Sequence, residues 1–219
     1  MGTAGGATQT ENSTSTTIRV SAVGEVQAEP DQALVRVAIV QSADDAETVR
    51  TRLARNASQM REALREVGVG DDRIRTVAFD ISEDRDEEGA PSGFRGVHAF
   101  EITLNDTSRV GRVVDTTVKN GANEVDGVAF TLSDARRDEL RTRALQSAVN
   151  GARADAEIIA DAENLSITGV RNASTVESSF VPAEAETTAV ADAGGKTEVE
   201  SGPVTVAVQV TVTYEARPG

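Results

Sequence analysis

The chain has 219 residues and a mass of 22.9 kDa, enough for one substantial core or two small ones, and carries 36 acidic against 22 basic side chains for a net charge of -14. That balance excludes a nucleic-acid partner and disfavours an anionic membrane surface, because neutralising phosphates needs clustered cations and the arginines form no cluster. Cysteine is absent, which excludes disulfides, thiolate nucleophiles and thiolate metal sites together.

Residues 1–16 are dominated by Gly, Thr, Ser and Ala with no apolar run, and read as a flexible polar tether ahead of a single domain over 17–216. Such a tether often follows a removed signal or a lipid anchor, which would lie upstream. The segment TIRVSAVG alternates as a strand, Glu29-Pro30-Asp31 supplies a turn, and QALVRVAIV follows as a second strand, so the pair is expected to form a hairpin. From Asp44 to Val67 the apolar residues Val49, Leu53, Ala57, Met60, Leu64 and Val67 recur at helical spacing, with Gly68 placed to end the helix. Ile74, Val77, Phe79 and Ile81 predict a third strand, which gives way to a charged, exposed loop over 82–93.

Phe94, Gly96, His98, Phe100, Ile102 and Leu104 share one face of the next strand, and the run Asn105 to Ser108 offers caps for a short helix through Val110, Val113, Val114 and Val118. A strand with Val128, Phe130 and Leu132 follows. Ser133-Asp134 then caps the longest helix, about Ala135 to Ala162, whose buried stripe is predicted as Leu140, Ala144, Ala148, Ala152, Ala156 and Ile159. Strands around Ile167–Val176 and Val204–Tyr214 finish the chain, separated by a second long exposed loop at 181–203. The predicted fold class is α+β, an antiparallel-rich sheet with two shorter helices and one long Ala-rich helix. From 32 to 133 the order β-α-β-β-α-β suits a split βαβ half-sandwich.

Candidate chemistry is sparse. His98 is the only histidine, it lies on the apolar strand face, and no Gly-X-Ser-X-Gly turn supplies a nucleophile, so a core or interface role outranks a catalytic base. The carboxylates Glu83, Asp84, Asp86, Glu87 and Glu88 lack the spacing and central glycine of a calcium loop and read as a solvated acidic loop. Asp44, Asp45 and Glu47 are explained by capping and the helix dipole. Gly194 and Gly195 do not join a strand to a helix, so they form no phosphate cradle. No catalytic residue, cofactor or metal is assigned.

Five Asn-X-Ser/Thr sequons, at Asn12, Asn56, Asn105, Asn164 and Asn172, exceed the roughly one or two that chance would place among eight asparagines. They are candidate glycosylation sites of an exported protein. Only Lys119 and Lys196 among the cations are lysine; an acidic surface with arginine in place of lysine marks halophilic adaptation, since high salt screens its self-repulsion.

The strings VSAVGEVQAEPDQALVRV, GVGDDRIRTVAFDIS, GFRGVHAFEITLND and GANEVDGVAFTLSD, followed by the alanine-rich RALQSAVNGARADAEIIA, resemble the SIMPL-domain family of bacterial periplasmic and outer-membrane immunogenic proteins, here in a haloarchaeal-type form. The resemblance runs from about Thr17 to Tyr214. It departs at Val97, where the family usually has an aromatic after the glycine matched by Gly96. The resemblance implies an exported α+β domain of a family that is often oligomeric, with roles in envelope or stress physiology that lack an agreed chemistry, and it carries over no catalytic residue. The expected role is a non-enzymatic homo-oligomeric component of the cell envelope, with an unknown protein partner; the alternatives are a monomeric surface binding module and, behind it, a hydrolase.

Overall fold

The computed structural model describes residues 16–85, 89–181, 183–184, 197, 199 and 201–219. In chain order the elements are β1 (Thr16–Ala28), β2 (Gln32–Ala43), α1 (Ala46–Glu66), β3 (Ile74–Arg85), β4 (Pro91–Leu104), α2 (Val110–Lys119), β5 (Glu124–Thr131), α3 (Asp134–Ala162), β6 (Leu165–Val181), β7 (Ala183–Glu184) and β8 (Val204–Pro218). The fold is α+β with antiparallel sheets, as the alternation of periods predicts. Contacts divide it into two units. The larger takes the described residues of Gln27–Glu139 and Phe180–Thr205; the smaller takes Thr16–Val26, Leu140–Ser179 and Val206–Gly219.

In the larger unit the sheet order is β3-β4-β2-β5-β7. Strand β4 pairs antiparallel with both β2 and β3, and β5 pairs antiparallel with β2, which is the strand order a split βαβ arrangement requires. Helix α1 forms because its apolar residues fall on one stripe: Val49, Leu53, Ala57, Met60 and Leu64 are all buried. Asp45 caps its start, accepting from the Thr48 amide at 2.7 Å. At its end Gly68 adopts φ +79°, and its amide and that of Val69 bond back to the Arg65 and Leu64 carbonyls. The stripe packs on the sheet face of Val35, Val37, Ile39, Phe100 and Ile102, joined by Val110 and Val113 of α2. Truncating one such side chain, Leu53 for example, costs about 2–5 kcal/mol.

Gly96 is small because α1 lies over it: a Cβ there would come within 2.5 Å of Val49 Cγ1 and 2.8 Å of Leu53 Cδ1. The mixed parity of Ile74, Phe79 and Ile81 has a structural cause as well. The register of β3 on β4 shifts between Thr76 and Ala78, so an extra residue, Val77, brings Phe79 opposite His98 and Ile81 opposite Gly96. In α2 the buried positions are Val110, Val113, Val114 and Thr117, while Val118 is 48% exposed.

In the smaller unit the sheet order is β1-β8-β6, with α3 packed on one face. Strand β8 buries Val208, Val210, Val212 and Tyr214 in alternation, matching the pattern in its sequence. Helix α3, 29 residues and about 43 Å long, presents Ala144, Ala148, Ala152 and Ala156 to the sheet. Its stripe continues to Ala160 and not to Ile159, which is 41% exposed: the row keeps a spacing of four throughout. Ahead of it, in the larger unit, Ser133 Oγ accepts from the Arg136 amide, while Asp31 accepts from both the amide and the hydroxyl of Ser133 at 2.7 and 2.6 Å.

Strands β1 and β2 form no hairpin, contrary to the sequence reading. Strand β1 joins the sheet of β8, with Arg19 against Thr213 and Ser21 against Thr211, and β2 takes the centre of the other sheet. The loop expected at 82–93 is shorter, because β3 runs to Arg85 and β4 begins at Pro91. Within the segment 181–203, Ala183 and Glu184 pair with Phe130 and Ala129 of β5, and Val199 packs against the larger core.

Candidate functional site

Strand β4 carries the two side chains with the richest surroundings, one on each face. On the inner face His98 lies between aromatic rings, 5.0 Å from Phe79 in a T-shaped contact and 4.0 Å from Phe100. Its Nε2 meets Thr76 Oγ1 at 3.1 Å, and its buried Nδ1 has no hydrogen-bond partner among the described residues. Burial, and then the positive charge of Arg61, hold the imidazole pKa below its ordinary value, so the ring is neutral at pH 7. Arg61 stands 5.3 Å over the Phe100 ring and 3.4 Å from Asp71.

This geometry does not build a nucleophile. A histidine that activates Thr76 would need a carboxylate on Nδ1 to fix its tautomer and stabilise the imidazolium, and the neighbours of His98 are Phe79, Phe100 and the cation Arg61.

On the outer face Glu101 is 7% exposed and accepts from Arg36 Nε of β2 at 3.0 Å and Arg75 Nη2 of β3 at 2.7 Å. One carboxylate thereby ties three adjacent strands. Burial works to raise its pKa, but the two arginine hydrogen bonds and their charges outweigh it, and the group stays ionised below the usual carboxylate range. Sequence reasoning missed this cluster. Arg36, Arg75 and Glu101 are far apart in the chain, and only the registers of β4 on β2 and β3 set them opposite one another.

The other sequence-picked residues are placed as follows. Asp45 caps α1, and the Thr48 amide and hydroxyl hold its pKa down; Glu47 pairs with Arg50 at 3.6 Å. Glu83 pairs with Arg85 at 2.5 Å, and Asp84 accepts from the Arg85 amide; Asp86, Glu87 and Glu88 lie outside the described residues, as do Gly194 and Gly195. Among the described residues no group of three or more histidine or carboxylate side chains gathers to hold a metal. Asn12 lies outside the described residues; Asn56 is within α1, and Asn105, Asn164 and Asn172 are exposed.

Open cavities occur among the described residues of the larger unit. One, of about 380 Å³, runs along α2 past Arg112, Asp115, Thr116 and Lys119 and is also lined by Thr197, whose hydroxyl donates to Asp115 at 2.8 Å. Another, of about 260 Å³, lies beside Arg73, Asn105 and Arg109, and Arg109 donates to the Val67 carbonyl at the end of α1.

Comparison with known proteins adds the following. The model of SIMPL, a protein of unknown function (DUF541), matches residues 18–214. The chain is 26% identical over 140 residues to the uncharacterized protein YggE of Escherichia coli (strain K12), covering 62% of this chain and 57% of that protein. It is 24% identical over 166 residues to YggE of Edwardsiella ictaluri (strain 93-146), covering 74% and 69%, and 23% identical over 158 residues to the 26 kDa periplasmic immunogenic protein of Brucella abortus (strain S19), covering 68% and 62%. The chain thus spans little more than half the length of the first of these relatives. No helix among the described residues is long and apolar enough to cross a membrane.

Proposed function

The chain belongs to the SIMPL family, and from that premise we propose that it is an extracytoplasmic, non-enzymatic protein that works as a self-associating structural or interaction component of the cell envelope. The placement draws on the Brucella relative, which is a periplasmic protein by name. The observation that carries self-association is the edge of the larger sheet. Strand β3 has 12 residues, its outer side has no partner strand among the described residues, and it exposes Val77 at 45% and Phe79 at 54%. An edge strand with free backbone groups and exposed large apolar side chains is a template for pairing. The segment 181–203 contributes a second contact, consistent with Ala183 and Val199 being held on the larger core.

Light scattering in molar salt tests this reading on three proteins: the intact chain, Phe79→Lys, and a chain with 181–203 replaced by a short Gly-Ser turn. The intact chain forms a defined oligomer and each altered chain a smaller particle. A monomeric intact chain refutes self-association; equal oligomers from all three refute β3 and the segment as contacts.

A further inference from the structure

We infer that Asn172 is a site of N-glycosylation, selected by the fold from among the sequons. The inference rests on the extracytoplasmic reading, since the glycan would be attached during or after export. In the reaction Asn172 Nδ2 forms a bond to the anomeric carbon of a sugar. That carbon's bond to a phosphate oxygen of a lipid-linked oligosaccharide breaks. The phosphate leaves with the electron pair, and Nδ2 releases one proton to a base of the transferase.

A transferase must take hold of an extended sequon, reach the side-chain amide and bond the hydroxyl two residues on. Asn172 meets each requirement. Residues 171–175 are exposed at every position, unlike the earlier part of β6, where Leu165 and Ile167 pack against the core of the smaller unit. Among the described residues the strand has a partner, β8, on one side only, which puts it at the sheet edge. The Asn172 side chain makes no hydrogen bond among the described residues, and Ser174 Oγ holds only a 3.5 Å contact to the Thr211 carbonyl, at the weak limit of such bonds.

The remaining described sequons each fail one requirement. Asn56 is in the middle of α1, where the backbone is helical, and Gly121 packs so closely that a Cβ there would be 2.9 Å from the Asn56 carbonyl oxygen. Asn105 Oδ1 is engaged by Gln32 at 3.2 Å and Arg73 at 3.1 Å. Asn164 is held at φ 54° after α3, its carbonyl accepts from the Gly219 amide at 3.0 Å, and Gly219 lies against Ser166 Oγ.

The experiment is glycopeptide mass spectrometry, with fragmentation to localise the sugar, on protein recovered from cell fractions of its native host. Variants Asn172→Gln, Ser174→Ala, Ser174→Thr and Asn56→Gln are expressed in the same host. A glycan on Asn172, lost completely in Asn172→Gln and Ser174→Ala and retained in Ser174→Thr and Asn56→Gln, is the expected result. Exported protein that is bare at Asn172, or glycosylated at Asn56 or Asn105 instead, overturns the assignment alone. Recovery of bare protein only from the cytoplasm overturns the export reading as well.

Discussion

Gly24 of β1 and Ala144 of α3 approach so closely that a Cβ on the glycine would stand 2.0 Å from the Ala144 carbonyl oxygen and 2.5 Å from the Ala148 amide nitrogen. The alanine stripe and the glycine are two halves of one requirement: backbone meets backbone, and neither side has room for a longer group. Gly24→Ala is therefore expected to destabilise the smaller unit by about 1–3 kcal/mol, because the atoms it would meet belong to the helix backbone and can move only with the helix. Urea unfolding of Gly24→Ala beside Gly169→Ala, where a Cβ meets open space, measures it. Equal midpoints would contradict the close packing.

His98 gives a pH dependence whose sign follows from its environment. Its folded pKa is depressed by burial and by Arg61, so the unfolded chain binds the proton first. Stability is full above the usual imidazole value of about 6.5 and declines as pH falls below it, toward the lower folded value. Asp31, Asp45 and Glu101 also have lowered pKa values, but their losses begin only near the carboxylate range, below about pH 5. Urea melts at pH 7 and 5.5 isolate the histidine; His98→Phe flattens the difference. A wild-type midpoint that rises on acidification would be incompatible with the buried neutral ring.

Replacing Glu101 with Gln keeps the volume and removes the charge shared by Arg36 and Arg75. The expected cost is about 1–3 kcal/mol, because two arginine donors lose an ionised acceptor while the amide introduces a buried donor facing cations. Arg36→Gln and Arg75→Gln cost less individually, since those side chains are 60% and 73% exposed and water replaces the lost partner. Chemical denaturation of the three variants gives the ranking, and an arginine variant worse than Glu101→Gln would reverse the argument.

Salt acts on the chain as a whole. With a net charge of -14, dilution from molar salt to about 0.1 M lengthens the screening distance from about 3 to 10 Å and exposes the surface to its own repulsion. The melting temperature is expected to fall on dilution. An unchanged or higher value in dilute buffer removes the basis for the halophilic reading.

Local periodicity made much of the fold legible. The stripe Val49 to Leu64 and the alternation Val208 to Tyr214 are properties of short windows, and both are buried as their spacing demands. Pairing was not legible in the same way. Strand β1 meets β8 through Ser21 and Thr211, 190 residues apart, and no feature near Ser21 distinguishes that partner from the adjacent β2. The extra residue Val77, which rotates Phe79 toward His98, has no turn signal around it. His98 was correctly placed on the inner face of β4. Glu101, on the other face of the same strand, was invisible because its meaning comes wholly from its neighbours across the sheet.

The smaller unit is assembled from three separate stretches, Thr16–Val26, Leu140–Ser179 and Val206–Gly219, whereas most of the larger one is a single run from Gln27 to Glu139. This sets a calendar for a chain that emerges from its amino end. The contiguous run has nearly all its contacts available once β5 has been made, and closing them is a short-range search. Strand β1 and helix α3 must wait until Val206–Gly219 arrives, leaving Ile18, Val20 and the alanine row uncovered in the interval. Contacts between residues so far apart in the chain close more slowly than local ones, so the smaller unit is expected to form after the larger.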